Sequence, residues 1–144
     1  MTQSELELGS RWFEMVWNQG RREAIAEMLR ADSVLHEAGE DSVGPEGFYP
    51  FFDNMHAMFS DFRVTVQDSI AEGDKCCLRW SCQAKHTGAG LGMAPTGVTI
   101  NVTGMSVMRV ENGMIVEAWQ NWDMLGMMEQ LRGNKKSATY VATA

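Results

Sequence analysis

The sequence has little of what marks several specialised protein classes. Only 3 prolines and 2 tyrosines occur among its 144 residues. It has no uninterrupted apolar run of roughly 18 residues, the length that a membrane-spanning helix needs. It also lacks a basic segment followed by an apolar segment, which is the pattern of a secretory leader. These absences favour one soluble, cytoplasmic domain of ordinary size, without a membrane partner.

Positive charge is also scarce. The chain carries 12 Lys and Arg against 19 Asp and Glu, which gives a formal net charge of −7. The basic residues are scattered along the sequence and form no cluster that could neutralise phosphate groups. Nucleic acids and anionic membranes are therefore not expected partners.

Cysteine and histidine are few, and their spacing predicts no metal site. The 3 cysteines, Cys76, Cys77 and Cys82, lie on one short segment that is too straight to close a disulfide framework, so they are expected to be small apolar thiols. The 3 histidines are far apart and lack metal-ligand spacing. No Gly-x-Ser-x-Gly elbow is present. We therefore expect no metal site.

The first third of the chain has helical periodicity. Ser4 and Glu7 have capping-box spacing, and apolar residues then recur at helical intervals until Asn18. The remaining pattern predicts a second helix over 22–29, a short strand over 34–37 and a third helix over about 45–59. Ala31-Asp32-Ser33 is expected to end the second helix.

From Asp61 onward the periodicity changes to two, which indicates strands. The predicted order is a strand from 61, a turn at 72–74, a strand over 75–86, a Gly-rich loop over 87–97, strands over 98–110 and 114–122, and a helix over 124–131. Asn112-Gly113 is a strong hairpin signal. We expect a single domain over 1–133 and a flexible tail over 134–144.

The hairpin predicts which residues share a face of the sheet. If Glu111 pairs with Met114, one face carries Val102, Gly104, Ser106 and Met108 beside Glu117, Trp119, Asn121 and Asp123. The other face is too apolar in places for open solvent, and it is expected to form a subunit interface in a homodimer. That face holds Thr99, Asn101, Thr103, Met105 and Val107 beside Val116, Ala118, Gln120 and Trp122.

The closing segment, residues 109–131, resembles a known family pattern. It contains an Arg, a turn Gly, Ile115-Val-Glu-Ala-Trp119, then Asp123 and the helical pair Gln130-Leu131. This resembles the SnoaL-like polyketide cyclase and ester cyclase family of the nuclear transport factor 2-like superfamily. His86-Thr-Gly88 with Ala94-Pro-Thr-Gly97, and Gly44-Pro-Glu-Gly-Phe48, agree with it. The family's final Gln-Leu-Gly reads Gln-Leu-Arg-Gly here.

The resemblance implies a fold and a chemistry. The fold is α+β: a cone-shaped barrel in which a curved, mixed and mainly antiparallel sheet wraps around the N-terminal helices, with a pocket between them. The chemistry is that of a cofactor-independent cyclase, isomerase or lyase. In it, an Asp matching Asp123 removes a proton from a small, mostly apolar carbonyl substrate so that an intramolecular aldol closes a ring. Asp123 directly precedes a helix, so it could instead be only the N-cap.

Other residues are expected to complete the site. His86 would orient a substrate oxygen or exchange a proton with Asp123, unless it faces water at the end of its strand. Glu117 would bind substrate, although such a Glu more often pairs with an Arg. The remaining predicted pocket residues are His36, Trp119, Trp12, Met108 and Trp80, whereas His56 is expected to be exposed. The alternative function is a non-catalytic binding or assembly module with the same pocket.

Overall fold

The computed structural model describes residues 2–37 and 39–133. The expected tail over 134–144 lies outside these residues. Within the described part of the chain, no helix combines the length and the apolar character that crossing a membrane requires.

Four α-helices and one π-helix are present in the described ranges. Helix α1 spans Thr2–Arg11 and passes directly into a π-helix over Trp12–Asn18, so the predicted long first helix is correct in extent but changes its hydrogen bonding part-way. The other helices are α2 (Glu23–Met28), α3 (Gly44–Met58) and α4 (Met124–Leu131). The wider π-helical turn presents four buried side chains to the core: Trp12, Phe13, Val16 and Trp17.

Six strands of the described residues form one curved sheet. They are β1 (Leu29–Glu37), β2 (Glu40–Val43), β3 (Phe59–Glu72), β4 (Lys75–His86), β5 (Thr99–Glu111) and β6 (Met114–Trp122). Their order is β2-β1-β6-β5-β4-β3, so the sheet does not close on itself. Strands β1 and β6 are parallel and the other pairs are antiparallel. The predicted α+β class with a mixed, mainly antiparallel sheet is confirmed.

Strand β1 begins earlier than predicted. The polar run Ala31-Asp32-Ser33 lies inside the strand and does not end a helix. The Ser33 hydroxyl accepts from the Arg30 amide at 2.8 Å and donates to the Ile115 carbonyl at 2.6 Å, which ties β1 to β6. The short strand β2, which was not predicted, pairs with the end of β1.

A β-bulge in β6 overturns the predicted faces. The hairpin has the expected Glu111–Met114 pair, with positive φ at Asn112 and Gly113. Val110 then pairs with Ile115 but Arg109 pairs with Glu117, so Val116 is an extra residue. From there onward every β6 side chain is on the face opposite to the one predicted. The inward face of β6 carries Ala118, Gln120 and Trp122, and the outward face carries Glu117, Trp119 and Asn121.

The core lies between the helices and the inward face of the sheet. Val16, Ile25, Met28 and Leu78 are all completely buried, and Ile115 is nearly so. The helices cover the centre of the sheet and leave cavities where they meet β5 and β6.

Candidate functional site

The larger cavity between helices and sheet is almost wholly apolar. It has a volume of about 50 Å³, enough for a few water molecules. Gln120 contributes the one amide among its lining residues, which are Phe13, Trp17, Phe51, Met55, Phe62, Val64, Trp80, Cys82, Ile100, Val102, Gln120, Trp122 and Met127. A mostly apolar wall with a single placed polar group is typical of a small-molecule site.

A smaller cavity adjoins the same amide, because Gln120 lines both spaces. Its walls include three predicted pocket residues, Trp12, Met108 and His36. Another predicted pocket residue, Trp80, lines the larger cavity. Glu37, which the sequence analysis did not single out, also lines the smaller cavity.

A chain of buried polar groups joins the two cavities. The Trp80 indole N–H donates to Ser106 Oγ at 3.1 Å, and Ser106 Oγ donates to Gln120 Oε1 at 2.8 Å. Gln120 Nε2 then donates to Glu37 Oε2 at 3.0 Å. Ser106 and Trp80 are buried, so the hydrogen bond between them is shielded from water, whereas Gln120 and Glu37 are half-buried.

Glu37 is a carboxyl in a largely apolar setting. Burial raises the pKa of Glu37, and hydrogen bonds from Gln120 and Trp122 partly offset that rise. Leu35 is buried, and Glu37, two residues on, shares its face. The sequence did not decide between this parity and that of Val34, because both residues are apolar. The sequence analysis singled out the neighbouring His36, which also lines the smaller cavity.

Asp123 lies outside both cavities. It is exposed, and its Oδ1 accepts from the Gly126 amide at 2.9 Å as the N-cap of α4. The prediction that Asp123 shares the inward face with Met108 is wrong, because the bulge at Val116 reverses the parity of β6. The geometry favours the helix-cap alternative.

His86 is completely buried at the end of β4 and also lines neither cavity. Its Nδ1 accepts from the Thr96 amide at 3.2 Å and lies 2.9 Å from Thr96 Oγ1. Among the described residues its Nε2 has no hydrogen-bond partner, and no hydrogen bond joins it to Asp123. The structure thus does not bring the two predicted catalytic residues together, and the expectation that His86 might face water is wrong.

Glu117 and Trp119 lie on the outer face with His36. His36 Nε2 is 2.8 Å from Glu117 Oε2, its Nδ1 is 2.7 Å from Asp41 Oδ1, and its ring stacks on Trp119. Glu117 and Asp41 raise the pKa of His36, while His36 and then Arg109 lower the pKa of Glu117. Trp119 and Glu117 were expected in the pocket, but they line neither cavity. The Arg pair foreseen as the alternative for Glu117 is present, at 3.4 Å.

The remaining histidine packs among aromatic rings, and two of the three cysteines are buried thiols. His56 was expected to be exposed but is half-buried, stacked on Trp17, and burial lowers its pKa. Burial also raises the pKa of the Cys76 and Cys82 thiols to about 11, so both are protonated at neutral pH.

Comparison with known proteins identifies the family. A model of the SnoaL-like polyketide cyclase family matches residues 8–131. The chain belongs to this family. No curated protein sequence matches it.

Solved structures of similar proteins agree with the SnoaL-like assignment. IdmH, a candidate polyketide cyclase from Streptomyces antibioticus, is 28% identical, with 88% of this chain and 97% of IdmH covered and a TM-score of 0.78. A candidate polyketide cyclase from Acidithiobacillus ferrooxidans is 26% identical over 90% and 95% of the two chains, with a TM-score of 0.80. AclR from Streptomyces galilaeus, described as a candidate hydroxylase, is 22% identical and shares the fold, with coverage of 92% and 98% and a TM-score of 0.83.

The SnoaL-like closing motif has a structural explanation in this chain. A Cβ at Gly126 would lie 2.1 Å from Asp123 Oδ2, so the glycine leaves room for the cap. Gln130 forms two hydrogen bonds of 2.8 Å with the backbone of Asn101. Leu131 and Met127 are buried. The motif therefore docks α4 against β5, whatever chemistry the cavity performs.

The cap assigned to Asp123 makes a testable prediction. Asp123→Ala should lower the free energy of unfolding by about 1 kcal/mol, because the Gly126 amide loses its acceptor. Asp123→Asn should cost much less, since Asn is also a good N-cap. Urea unfolding of both variants measures the difference. Equal losses in the two variants would show that the carboxylate charge, and not the cap, is what stabilises α4.

Proposed function

We propose that this SnoaL-like protein is a cofactor-independent enzyme that performs acid/base chemistry on a small, mostly apolar carbonyl compound. The reaction class is an aldol-type ring closure or a related isomerisation or lyase step. The family and the fold support cyclase or isomerase chemistry of this kind. The observation that carries the proposal is the apolar cavity whose Gln120 amide donates a hydrogen bond to a half-buried carboxyl, that of Glu37.

The cavity suits such a substrate for a physical reason. Aromatic and aliphatic walls favour an apolar ring, because burying its surface is favourable by roughly 25 cal/mol per Å². A carboxyl next to this space is a useful acid or base only if burial brings its pKa towards neutral pH. Glu37 has that property, whereas Asp123 lies in water and caps a helix.

A second candidate function is a binding module without catalysis. It is favoured by one observation: Asp123, the residue that matches the family's Asp, does not reach either cavity. In this case the cavity would hold the same kind of ligand and leave it unchanged.

One experiment separates the two candidates. The probe is 2-indanone, a small apolar ketone whose acidic C–H bonds can be followed by NMR in D₂O. Binding is measured by fluorescence, because Trp17, Trp80 and Trp122 line the cavity. An enzyme should bind 2-indanone and speed the exchange of its α-protons. Binding without faster exchange would support the module, and no binding would contradict both functions.

A cavity-filling variant should abolish this binding. Val64 lies on the cavity wall, and Val64→Phe is expected to weaken 2-indanone binding at least tenfold, since the added ring occupies the ligand's space. The matched control is Val43→Phe, because Val43 is exposed on β2 and lines neither cavity. Equal affinities for the two variants would place the ligand elsewhere.

We further propose a homodimer through the outer sheet face, in the cytoplasm. One row of cross-strand neighbours runs over this face and is largely apolar: Ile70, Cys77, Val107, Trp119 and His36. Ile70 at 69% and Met105 at 54% are unusually exposed for such side chains. Val107→Glu places a charge in this apolar row, so it is expected to convert the dimer to a monomer in analytical ultracentrifugation. Ala26→Glu, at an exposed position of α2, should leave the dimer intact. A monomeric unmodified protein would contradict the proposal.

A further inference from the structure

Glu37 occupies a boundary between the interior and the solvent. It ends β1 and lines the smaller cavity on one side. On the other side it lines an open groove formed with Gly39, Glu40, Trp119 and Asn121, among others. A carboxyl in this position can meet the part of a ligand that extends past Gln120 into the smaller cavity, and it can exchange its proton with water outside.

The hydrogen bonds that end on Glu37 run in one direction. An indole N–H can only donate, so Ser106 Oγ accepts from Trp80, and Ser106 Oγ in turn donates to Gln120 Oε1. The amide oxygen of Gln120 therefore faces Ser106, and its NH₂ faces Glu37. An ionised Glu37 requires this orientation, because a carboxylate can only accept a hydrogen bond.

We propose that Glu37 is the group that transfers the proton in this reaction, and that Trp80, Ser106 and Gln120 position its carboxyl. The inference rests on the proposed function. It assigns the proton transfer to Glu37 on β1 and not to Asp123, the residue that matches the family's Asp. Two described titratable groups adjoin Glu37. Glu40, its cross-strand partner on β2, is exposed, and the side chain of the adjacent His36 engages Asp41 and Glu117.

The proton transfer is balanced without a further reactant. A Glu37 carboxylate oxygen takes a proton from the carbon next to the substrate carbonyl, and the C–H electron pair forms the enolate. The second Gln120 N–H is suited to hydrogen-bond the enolate oxygen, because the first N–H is held by Glu37. In a ring closure, the enolate carbon attacks a second carbonyl of the same molecule, and the oxygen of that carbonyl takes the proton from the Glu37 carboxyl. In an isomerisation, the substrate takes that proton back on carbon.

The test compares 2-indanone exchange rates in D₂O. Glu37→Gln should slow exchange by about 100-fold or more, since an amide cannot accept the proton, while binding measured by fluorescence should stay within a few-fold. The matched control is Glu72→Gln, an exposed Glu at the end of β3, which should leave the rate unchanged. A Glu37→Gln rate close to that of the unmodified protein would overturn the inference.

The positioning role has its own readout, the pH dependence of the exchange rate. Ser106→Ala removes the anchor of Gln120, so Glu37 should lose a donor and the midpoint of the pH–rate curve should move to higher pH. Ser106→Thr keeps a hydroxyl and should restore the original midpoint. A lower rate with an unmoved midpoint in Ser106→Ala would reduce Ser106 to a packing role and overturn the positioning claim.

The outcomes separate this inference from the function on which it rests. If the unmodified protein binds 2-indanone without exchange, the enzymatic function fails and the inference fails with it. If exchange occurs and survives in Glu37→Gln but is lost in Asp123→Asn, the function stands and Glu37 is the wrong group. Should Glu37→Gln not fold, the unmodified protein decides: its rate must rise with a midpoint above about pH 4.3, the ordinary Glu value, for the inference to hold.

Discussion

Gln120→Leu is expected to cost about 1–3 kcal/mol of the free energy of unfolding, and more at pH 8 than at pH 5. The substitution removes the acceptor of the Ser106 hydroxyl and a donor to Glu37, and it leaves buried polar groups without partners. Urea unfolding at the two pH values measures the loss.

The pH dependence follows from the sign of the Glu37 shift. Its pKa is raised in the folded state by burial, so the folded protein holds this proton more tightly than the unfolded chain does. The contribution of Glu37 to the free energy of unfolding is therefore fully present below its unfolded pKa of about 4.3. This contribution declines as the pH rises through the folded-state pKa of Glu37. Loss of the Gln120 donor raises that pKa further and extends the decline to higher pH.

The control for this substitution is Gln67→Leu. Gln67 is an exposed amide on β3 that bonds Ser81, so its loss should change stability by less than about 0.5 kcal/mol. If Gln120→Leu proved equally neutral at both pH values, the buried chain would not be a stabilising network.

Gly88→Ala is expected to destabilise the protein by about 3 kcal/mol or more. A Cβ at Gly88 would lie 1.8 Å from the Ala57 carbonyl oxygen, and backbone atoms there cannot rotate away. The Gly88 and Thr87 amides both donate to the Met58 carbonyl, which fixes the loop after β4 against the end of α3. Thermal and urea unfolding measure the loss.

Gly92→Ala in the same loop separates steric overlap from backbone strain. Gly92 has a φ of +71° but nothing within 4 Å of its Cβ position. Only the left-handed conformation is penalised there, by about 1–2 kcal/mol. A smaller loss in Gly88→Ala than in Gly92→Ala would contradict the close packing of this loop on α3.

Much of the fold could be predicted because its signals are local. The period-two runs, the Asn112-Gly113 turn and the helix from Met124 to Leu131 each depend on a few neighbouring residues, and the structure confirms them. The prediction that a helix ends near Leu29–Ser33 was wrong because it, too, used only local signals. Its polar residues look like a helix end locally, but the Ser33 hydroxyl is satisfied by Ile115, which lies far away in sequence.

The candidate site was harder to predict, because one residue reverses a whole strand. Val116 has no sequence signature of a bulge, yet it moves Glu117 and Trp119 to the outer face and Gln120 to the cavity. The family resemblance gave the fold correctly, but its best-matched residue, Asp123, has a structural task in this chain. Trp12, Trp80 and Met108 do line the cavities. That they bind substrate stays a prediction.

The most direct test of the account is the pKa of the Glu37 carboxyl. It can be measured from the pH titration of its ¹³C carboxyl signal by NMR, with Glu37→Gln as the assignment control. The account predicts a midpoint above the ordinary Glu value of about 4.3, which shifts when 2-indanone binds. A midpoint at or below that value, unchanged by 2-indanone, would contradict the assignment of Glu37 as the proton-transfer group.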